Sequence, residues 1–315
     1  MSKLYIGIDV GGTFIKSGII DSNNNIITKM KIETSKVKVG ENSVQSIFEI
    51  IKGLLSNSNI SLNEISGIGI GISGIMDSKN GFILESNVLM VKNYPLAKEL
   101  EKLTKIPVKL ANDADVATLS EQKIGAGKDY KNFIMLTIGT GIGGGAVLNG
   151  INMGIEYGLP LEFGHMKGET INPKIHCNCG RVNCYEKIST PKFLVQQTLL
   201  EIQNYTDSDI YKLLNSKELS SEIIFEHLED DIISKIFKNF IKNLGDGIVN
   251  LVNIFKPEVI IIGGGISNQN EKLTKPLEHY VNKHTILNQI GYNAKIIPAK
   301  FTNGAGIIGA KLLFN

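Results

Sequence analysis

Along the chain, apolar positions recur first at strand spacing and then at helix spacing. Tyr5–Val10 is apolar and β-rich, and Ser17–Asp21 and Ile26–Ile32 follow it across Asp21-Ser22-Asn23-Asn24-Asn25. Asn and Asp accept the positive φ of a tight hairpin turn, so these segments predict an antiparallel meander. Val44, Ile47, Phe48, Ile51, Leu54 and Leu55 recur every three or four residues and predict a helix. Gly67–Ile72 predicts a strand, Leu96–Leu103 a helix, Val108–Leu110 a strand and Ala114–Gln122 a helix.

The second half restarts the pattern. Phe133–Ile138 and Gly145–Leu148 are strand-like and flank a glycine-rich turn. Helices dominate from Pro191 to Phe255. Within Asp231–Phe255, the residues Ile232, Ile236, Phe240, Leu244 and Ile248 form one apolar stripe, read as core. Val259–Ile262 is a buried-strand run, Leu273–His284 a helix, Ala294–Ile297 a strand and Asn303–Phe314 a closing helix. No sequence period repeats, which argues against a solenoid. The expected architecture is two α/β lobes of similar plan around a cleft, with the last helix crossing back to the first lobe.

Composition narrows the class. At 315 residues, roughly two domains are expected. A net charge of +2 argues against a dedicated nucleic-acid binder. Hydrophobic residues make up 42% and mean hydropathy is +0.04, enough for a core and too much for wholesale disorder. No apolar run approaches the ~18 residues of a membrane span. The first residues enter a strand-like run with no signal-type apolar stretch, and cysteine is sparse. Both lead to the expectation of a cytoplasmic protein with no membrane association. Trp is absent and Arg181 is the only arginine; with many Asn and Ile, this reads as codon bias of an AT-rich genome.

Two strand–turn–strand glycine motifs suit phosphate. One is Asp9-Val10-Gly11-Gly12-Thr13 with Lys16 beyond it; the other runs from Thr137 to Gly145 and includes Gly139, Thr140 and Gly141. Glycines let backbone N–H groups face a concavity and approach phosphate closely. Asp9, at a strand end, could hold a Mg²⁺-bound water or orient the phosphate. Gly139–Gly144 matches G-x-G-x-x-G, but the segment after it reads as strand, whereas the dinucleotide fingerprint needs a helix. The competing reading is plain hairpin turns. A third motif, Ile262-Gly263-Gly264-Gly265-Ile266-Ser267, could cradle the nucleotide or be a tight turn before a helix.

Asn112-Asp113 stands where a strand ends and a helix begins. Asp113 is a candidate general base for phosphoryl transfer to an alcohol, or simply a helix N-cap. All three cysteines, Cys177, Cys179 and Cys184, fall within eight residues. Such a cluster suits metal thiolates better than a disulfide framework. A closed zinc site needs a fourth ligand. His176 adjoins Cys177 and would ligate awkwardly beside it. His165 can close a loop onto the cluster and is preferred. His227, His279 and His284 lie in helical segments and read as ordinary residues. Glu162 and Glu186 flank the ends of this loop and are candidates for binding a polyhydroxyl ligand; singly, each also fits a solvated surface.

With these motifs the chain resembles the ROK family of sugar kinases and repressors, within the actin–hexokinase superfamily. The resemblance spans essentially the whole chain. It rests on Asp9–Thr13, Asn112-Asp113-Ala114, Gly139–Gly145, Glu162-Phe163-Gly164-His165, Cys177–Glu186, Gly263–Gly265 and Asn303–Ala310. It implies a two-lobed α/β actin-like ATPase (ribonuclease H-like) fold, with residues 1–112 plus 301–315 as the smaller lobe. Residues 113–300 would form the larger lobe, containing a zinc loop at 162–186. It further implies ATP and Mg²⁺ as cofactors, a structural Zn²⁺, a hexose substrate and a homodimer. Asp113 matches the family's catalytic base, and Asn112, Glu162, His165 and Glu186 match its sugar contacts. Ser73, Gly74 and Asn87 fall where the family lines the sugar pocket. His165, Cys177, Cys179 and Cys184 match the zinc ligands. Asp9, Gly11, Gly12, Thr13 and Gly139–Gly143 match the ATP-phosphate segments.

The chain departs from the family pattern at Phe163, commonly Ile, at Asn183, often Gly, and at Tyr185, often Leu. Ser86–Val91 stands where glucose-specific members often show Pro-Asn and then Trp. The missing Trp leaves allose, N-acetylmannosamine, fructose and mannose open beside glucose. The expected activity is an ATP-dependent hexose kinase. The alternatives are a sugar-responsive regulator, whose family representatives carry an added DNA-binding segment before the first phosphate loop, and a non-catalytic sugar-binding protein.

Overall fold

The computed structural model describes residues 3–169, 175–215, 219–301 and 304–315. In chain order the elements are β1 (Leu4–Val10), β2 (Phe14–Asp21), β3 (Ile26–Glu33), α1 (Ser43–Ser58), β4 (Ile65–Ile72), β5 (Ile75–Asp77), β6 (Phe82–Ser86), β7 (Val91–Tyr94), α2 (Leu96–Thr104), β8 (Val108–Asn112) and α3 (Asp113–Ile124). There follow β9 (Phe133–Ile138), β10 (Ile142–Leu148), β11 (Ile151–Asn152), α4 (Met153–Tyr157), α5 (Tyr185–Ile188), α6 (Pro191–Glu201), α7 (Asp209–Asn215), α8 (Ser221–Glu226), α9 (Asp231–Phe255), β12 (Val259–Gly263), α10 (Glu271–His284), β13 (Ile296–Pro298) and α11 (Ala305–Leu312).

Contacts divide the chain into two compact units: residues 1–129, 145–161 and 303–315, and residues 130–144 and 162–302. The sequence expectation drew the boundary at 112/113. In the structure α3 groups with the first unit, because Ser120 Oγ donates to the Ala305 carbonyl at 2.6 Å and Thr118 packs on Gly145. Asn303, the first residue of the expected closing helix, lies outside the described residues.

In the first unit the sheet order is β3-β2-β1-β4-β8. The expected meander is present, with β1–β2 and β2–β3 antiparallel. β4 and β8 add in parallel, so β1 and β4 are covered on both faces and read as apolar runs. Ile6, Ile8, Val10, Ile68, Ile70 and Ile72 are wholly buried. Helix α11 packs onto β1 and β4 so closely that a methyl group on Gly69 would lie 1.8 Å from the Ala310 carbonyl oxygen. A three-stranded antiparallel sheet, β5-β6-β7, was not foreseen from sequence. Its strands have three, five and four residues, too few to show a period.

The second unit carries β9, β12 and β13 in parallel, with the first residues of β10 beside β9. Within the first unit, Val147 and Leu148 at the end of β10 pair with β11. β10 begins at Ile142, so part of the expected glycine turn is strand. Helix α9 has the predicted span. Ile236, Phe240, Leu244 and Ile248 are buried as expected, whereas Ile232 is half-buried and Ile233 takes the inward place. Among the described residues, no helix is long and apolar enough to cross a membrane.

Candidate active site and metal centre

In the first unit, strand β1 delivers Asp9 opposite Lys16 of β2, with Nζ 4.0 Å from the carboxylate. Burial holds the Asp9 carboxyl above the ordinary aspartate range, and Lys16 offsets part of this. Gly306 of α11 leaves the space this carboxylate fills. The turn Gly11-Gly12-Thr13 is braced from β3's end. Thr34 Oγ1 donates to the Gly11 carbonyl at 2.8 Å, and Thr34 N–H donates to the Thr13 carbonyl at 2.9 Å. Gly12 is exposed with no neighbour over its Cα, a surface open to a ligand.

The raised carboxyl of Asp9 has a consequence for stability. Its folded value exceeds its unfolded one, so the folded chain holds the proton longer and stability falls as pH rises above about 4. In Mg²⁺-free buffer, Asp9→Asn is expected to melt higher than the parent at pH 7, with the difference closing toward pH 4. Calorimetric melting at both pH values checks this; a difference that does not vary with pH sinks it.

Strand β8 ends at Asn112, whose side chain makes two local bonds. Oδ1 accepts the Ala114 N–H at 2.8 Å, and Nδ2 donates to the Gly74 carbonyl at 2.8 Å. The N-cap of α3 is therefore Asn112 and not Asp113. Asp113 is the first helical residue, half-buried, with Oδ1 also 3.0 Å from the Ala114 N–H. Ser73 and Gly74 are joined to the same corner, because Ser86 Oγ donates to the Ser73 carbonyl at 2.9 Å. Asn87 is the next residue and lies exposed in the β6–β7 turn. Ser73, Gly74 and Asn112 are thus bonded together, whereas Asn87 is connected to them only through Ser86.

In the second unit, the β9–β10 turn is closed by Gly139 N–H to the Gly141 carbonyl at 2.9 Å. Strand β10 follows it, so the dinucleotide fingerprint is excluded as expected. The Gly263–Gly265 turn lies beside it. Gly264 has φ +84° and approaches the Ile138 carbonyl so closely that a methyl would sit 2.2 Å from the oxygen. Only glycine satisfies both demands. Gly265 is open above its Cα.

Glu162, His165, the cysteines and Glu186 converge in this unit. His165 faces Cys177 Sγ through Nδ1 at 3.7 Å and Glu162 through Nε2 at 3.7 Å. Cys179 Sγ lies 3.5 Å from Cys184 Sγ, and the four ligand atoms all lie within 4.8 Å of one another. A tetrahedron with metal–sulfur distances of about 2.3 Å has edges of about 3.8 Å, so the donor set fits zinc. With Nδ1 toward the cysteine cluster and Nε2 toward a carboxylate, His165 has the arrangement that metal-binding histidines usually show. Burial pushes the Cys177 thiol up to about 12 and raises Cys184, while Arg181 beside Cys179 lowers that thiol to about 6. Burial also raises the Glu162 carboxyl, with His165 opposing and Glu186 adding to the rise.

Glu186 reaches back to the glycine turn. Its carboxylate accepts the Ile142 N–H at 3.4 Å and the Cys177 thiol at 3.3 Å. Two partners of the cluster were missed from sequence. Arg181, read there as a trace of codon bias, bonds Cys179; its position inside the cysteine segment was the available signal. Asn183, where the family often has Gly, takes φ +53° and accepts the Ile175 N–H at 2.8 Å. Phe163, in place of the commoner Ile, packs against Gly144 and the Phe255 ring.

Comparison with known proteins agrees with this layout. The sequence profile of the ROK family matches residues 5–315, and the chain belongs to that family. A glucokinase of Halalkalibacterium halodurans is 32% identical over 98% of this chain and 93% of its own length. A glucokinase of Thermotoga maritima is 32% identical over 98% and 97%. A crystal structure of a ROK family glucokinase from Streptomyces griseus, in complex with glucose and AMPPNP, superposes with a TM-score of 0.81. It is 26% identical and 98% of each chain is covered. The fold is that of the actin-like ATPases.

Proposed function

We propose that this protein is an ATP-dependent kinase that transfers a phosphoryl group to a hydroxyl of a hexose. The observation that carries the reading is the strand end at Asn112-Asp113. Asn112 is the N-cap of α3, and the Asp113 carboxylate stands next to it at the helix start, with Oδ1 3.0 Å from the Ala114 N–H. The similarity to glucokinases over nearly the whole chain supports it.

In this mechanism Asp113 accepts the proton of the attacking hydroxyl and aligns its oxygen. Glu162, His165 and Glu186 bind sugar hydroxyls, together with Ser73, Gly74, Asn87 and the remaining donor and acceptor capacity of Asn112. The open backbones at Gly11-Gly12-Thr13 and Gly139-Thr140-Gly141, with Lys16, cradle the phosphates, and Gly264 and Gly265 take the nucleoside side. Asp9 fits the role of holding a hydrated Mg²⁺, since its carboxylate is fixed between Lys16 and Gly306. Bound Mg²⁺ neutralises phosphate charge. Zinc at His165, Cys177, Cys179 and Cys184 would have four protein ligands and therefore a structural role.

A hexose panel with glucose, allose, N-acetylmannosamine, mannose and fructose, read by ADP release, tests the function. Sugar-dependent ADP formation with at least one of them is expected. Its absence with all five overturns the reading in favour of a regulator or a non-catalytic sugar-binding protein. A reducing cytoplasmic setting accords with three free thiols. A homodimer that binds no nucleic acid is also proposed, and sedimentation with and without DNA examines both points.

A further inference from the structure

Three successive residues of α5 and its cap face three different tasks. Cys184 is a corner of the metal cluster, and Glu186 reaches the glycine turn at Ile142. Tyr185, between them, is fully buried, and its ring lies on helix α9. Its hydroxyl donates to the Leu244 carbonyl at 2.5 Å. Its ring fills the space over Gly247, where a methyl group would lie 2.3 Å from two ring carbons. A mid-helix glycine costs about 1 kcal/mol relative to alanine, so the room it leaves is maintained against helix propensity. Tyr185 N–H also donates to the Met166 carbonyl at 2.8 Å, next to His165.

We propose that Tyr185 is a positioning residue for sugar binding: seated on Gly247 and bonded to Leu244, it fixes the rotation of α5 and so aims Glu186. This rests on the kinase reading above. The reason is mechanical. Helix α5 is a single turn, and consecutive residues on a turn point about 100° apart, so the rotation that unseats Tyr185 also swings Glu186. The contacts of Glu186 itself are long, at 3.4 Å to the Ile142 N–H and 3.3 Å to both the Cys177 thiol and Lys187 Nζ, and two of the three partners lie on the same short segment, so they do not by themselves fix the rotation of α5. A shift of about 1 Å in a substrate-orienting group can cost on the order of a hundredfold in rate.

Helix α9 supplies a matched control. Two residues earlier, Gly245 accommodates Tyr280 of α10 in the same way, with a methyl position 2.3 Å from that ring. Tyr280 bonds Asp246 and no residue assigned to the sugar.

The experiment compares KM for hexose, KM for ATP, kcat, melting temperature and zinc content in four variants. Gly247→Ala is expected to raise the hexose KM at least tenfold while the ATP KM stays within twofold. Adding Tyr185→Leu to Gly247→Ala should recover the melting temperature, because the shorter side chain clears the new methyl, but leave the hexose KM above that of Tyr185→Phe, because the ring's seat and the bond to Leu244 are both lost. Tyr185→Phe should raise the hexose KM about threefold. Gly245→Ala should lower the melting temperature comparably and leave the hexose KM unchanged. Equal KM effects of Gly247→Ala and Gly245→Ala, or no effect of Gly247→Ala, overturn the proposal. If Gly247→Ala does not fold, Tyr185→Phe decides, and an unchanged hexose KM there overturns it. Failure of the kinase reading is seen separately, as absence of hexose-dependent ADP formation in the unsubstituted protein, and it removes this proposal with it.

Discussion

Asp113→Asn is expected to lower kcat by about a thousandfold, the middle of the range that a positioned general base supplies. The substitution is nearly isosteric. Asn retains an Oδ1 acceptor for the Ala114 N–H that Asp113 now faces at 3.0 Å. The helix start is secured separately, because Asn112 is the cap. Folding and sugar affinity should therefore stay close to those of the parent, with the hexose KM within about threefold. What the variant lacks is a group able to take the hydroxyl proton. Coupled ADP release gives kcat, and calorimetric titration gives sugar affinity. Near-normal turnover removes Asp113 from the role of base, and a lost affinity with intact kcat reassigns it to binding.

The second large effect is expected at the metal centre. Cys184→Ser should lower the melting temperature by on the order of 10 °C, as loss of several kcal/mol does in a chain of this size. Sugar affinity should fall with it. His165 faces Glu162 through its second nitrogen, and Glu186 lies 3.3 Å from Cys177, so loosening the cluster loosens both carboxylates. A variant as stable and active as the parent refutes that coupling. The thiols add a proton count. In the metal-free chain at pH 7.5, burial keeps Cys177, at about 12, and Cys184 protonated, whereas Arg181 keeps Cys179, at about 6, ionised. Because zinc binds thiolates, its uptake should release close to two cysteine protons rather than three. Titration calorimetry in two buffers of different ionisation enthalpy measures this number.

The parts of this molecule that were legible in the sequence are those in which one residue's neighbours along the chain decide its environment. Strands β1, β4 and β12 are covered on both faces and show as apolar runs. The cysteine cluster and His165 lie close enough in sequence for a loop to join them. The strand-to-helix corner at Asn112-Asp113 was legible, but which of its two side chains caps the helix was not, since either can accept an N–H at a helix start; the cap is Asn112. Ile142–Gly144 read as turn because glycine carries no strand preference, yet it lies in β10. The contact of Tyr185 with Gly247 could not be read at all. It joins distant residues, and Gly247 falls within a helix whose apolar stripe gave no reason to single it out.

Helix α11 has a consequence for the order in which the protein is made. It completes the sheet that opens with β1, and roughly 300 residues separate the two, so closing that loop costs about 5 kcal/mol of chain entropy before any contact forms. On the ribosome, β1 and β4 emerge early and must wait for α11, which follows every other element in the sequence. The apolar strands of the first unit, made first and covered by α11 last, are therefore expected to remain without that cover longest. That interval is when the nascent chain is most exposed to aggregation and to chaperone capture.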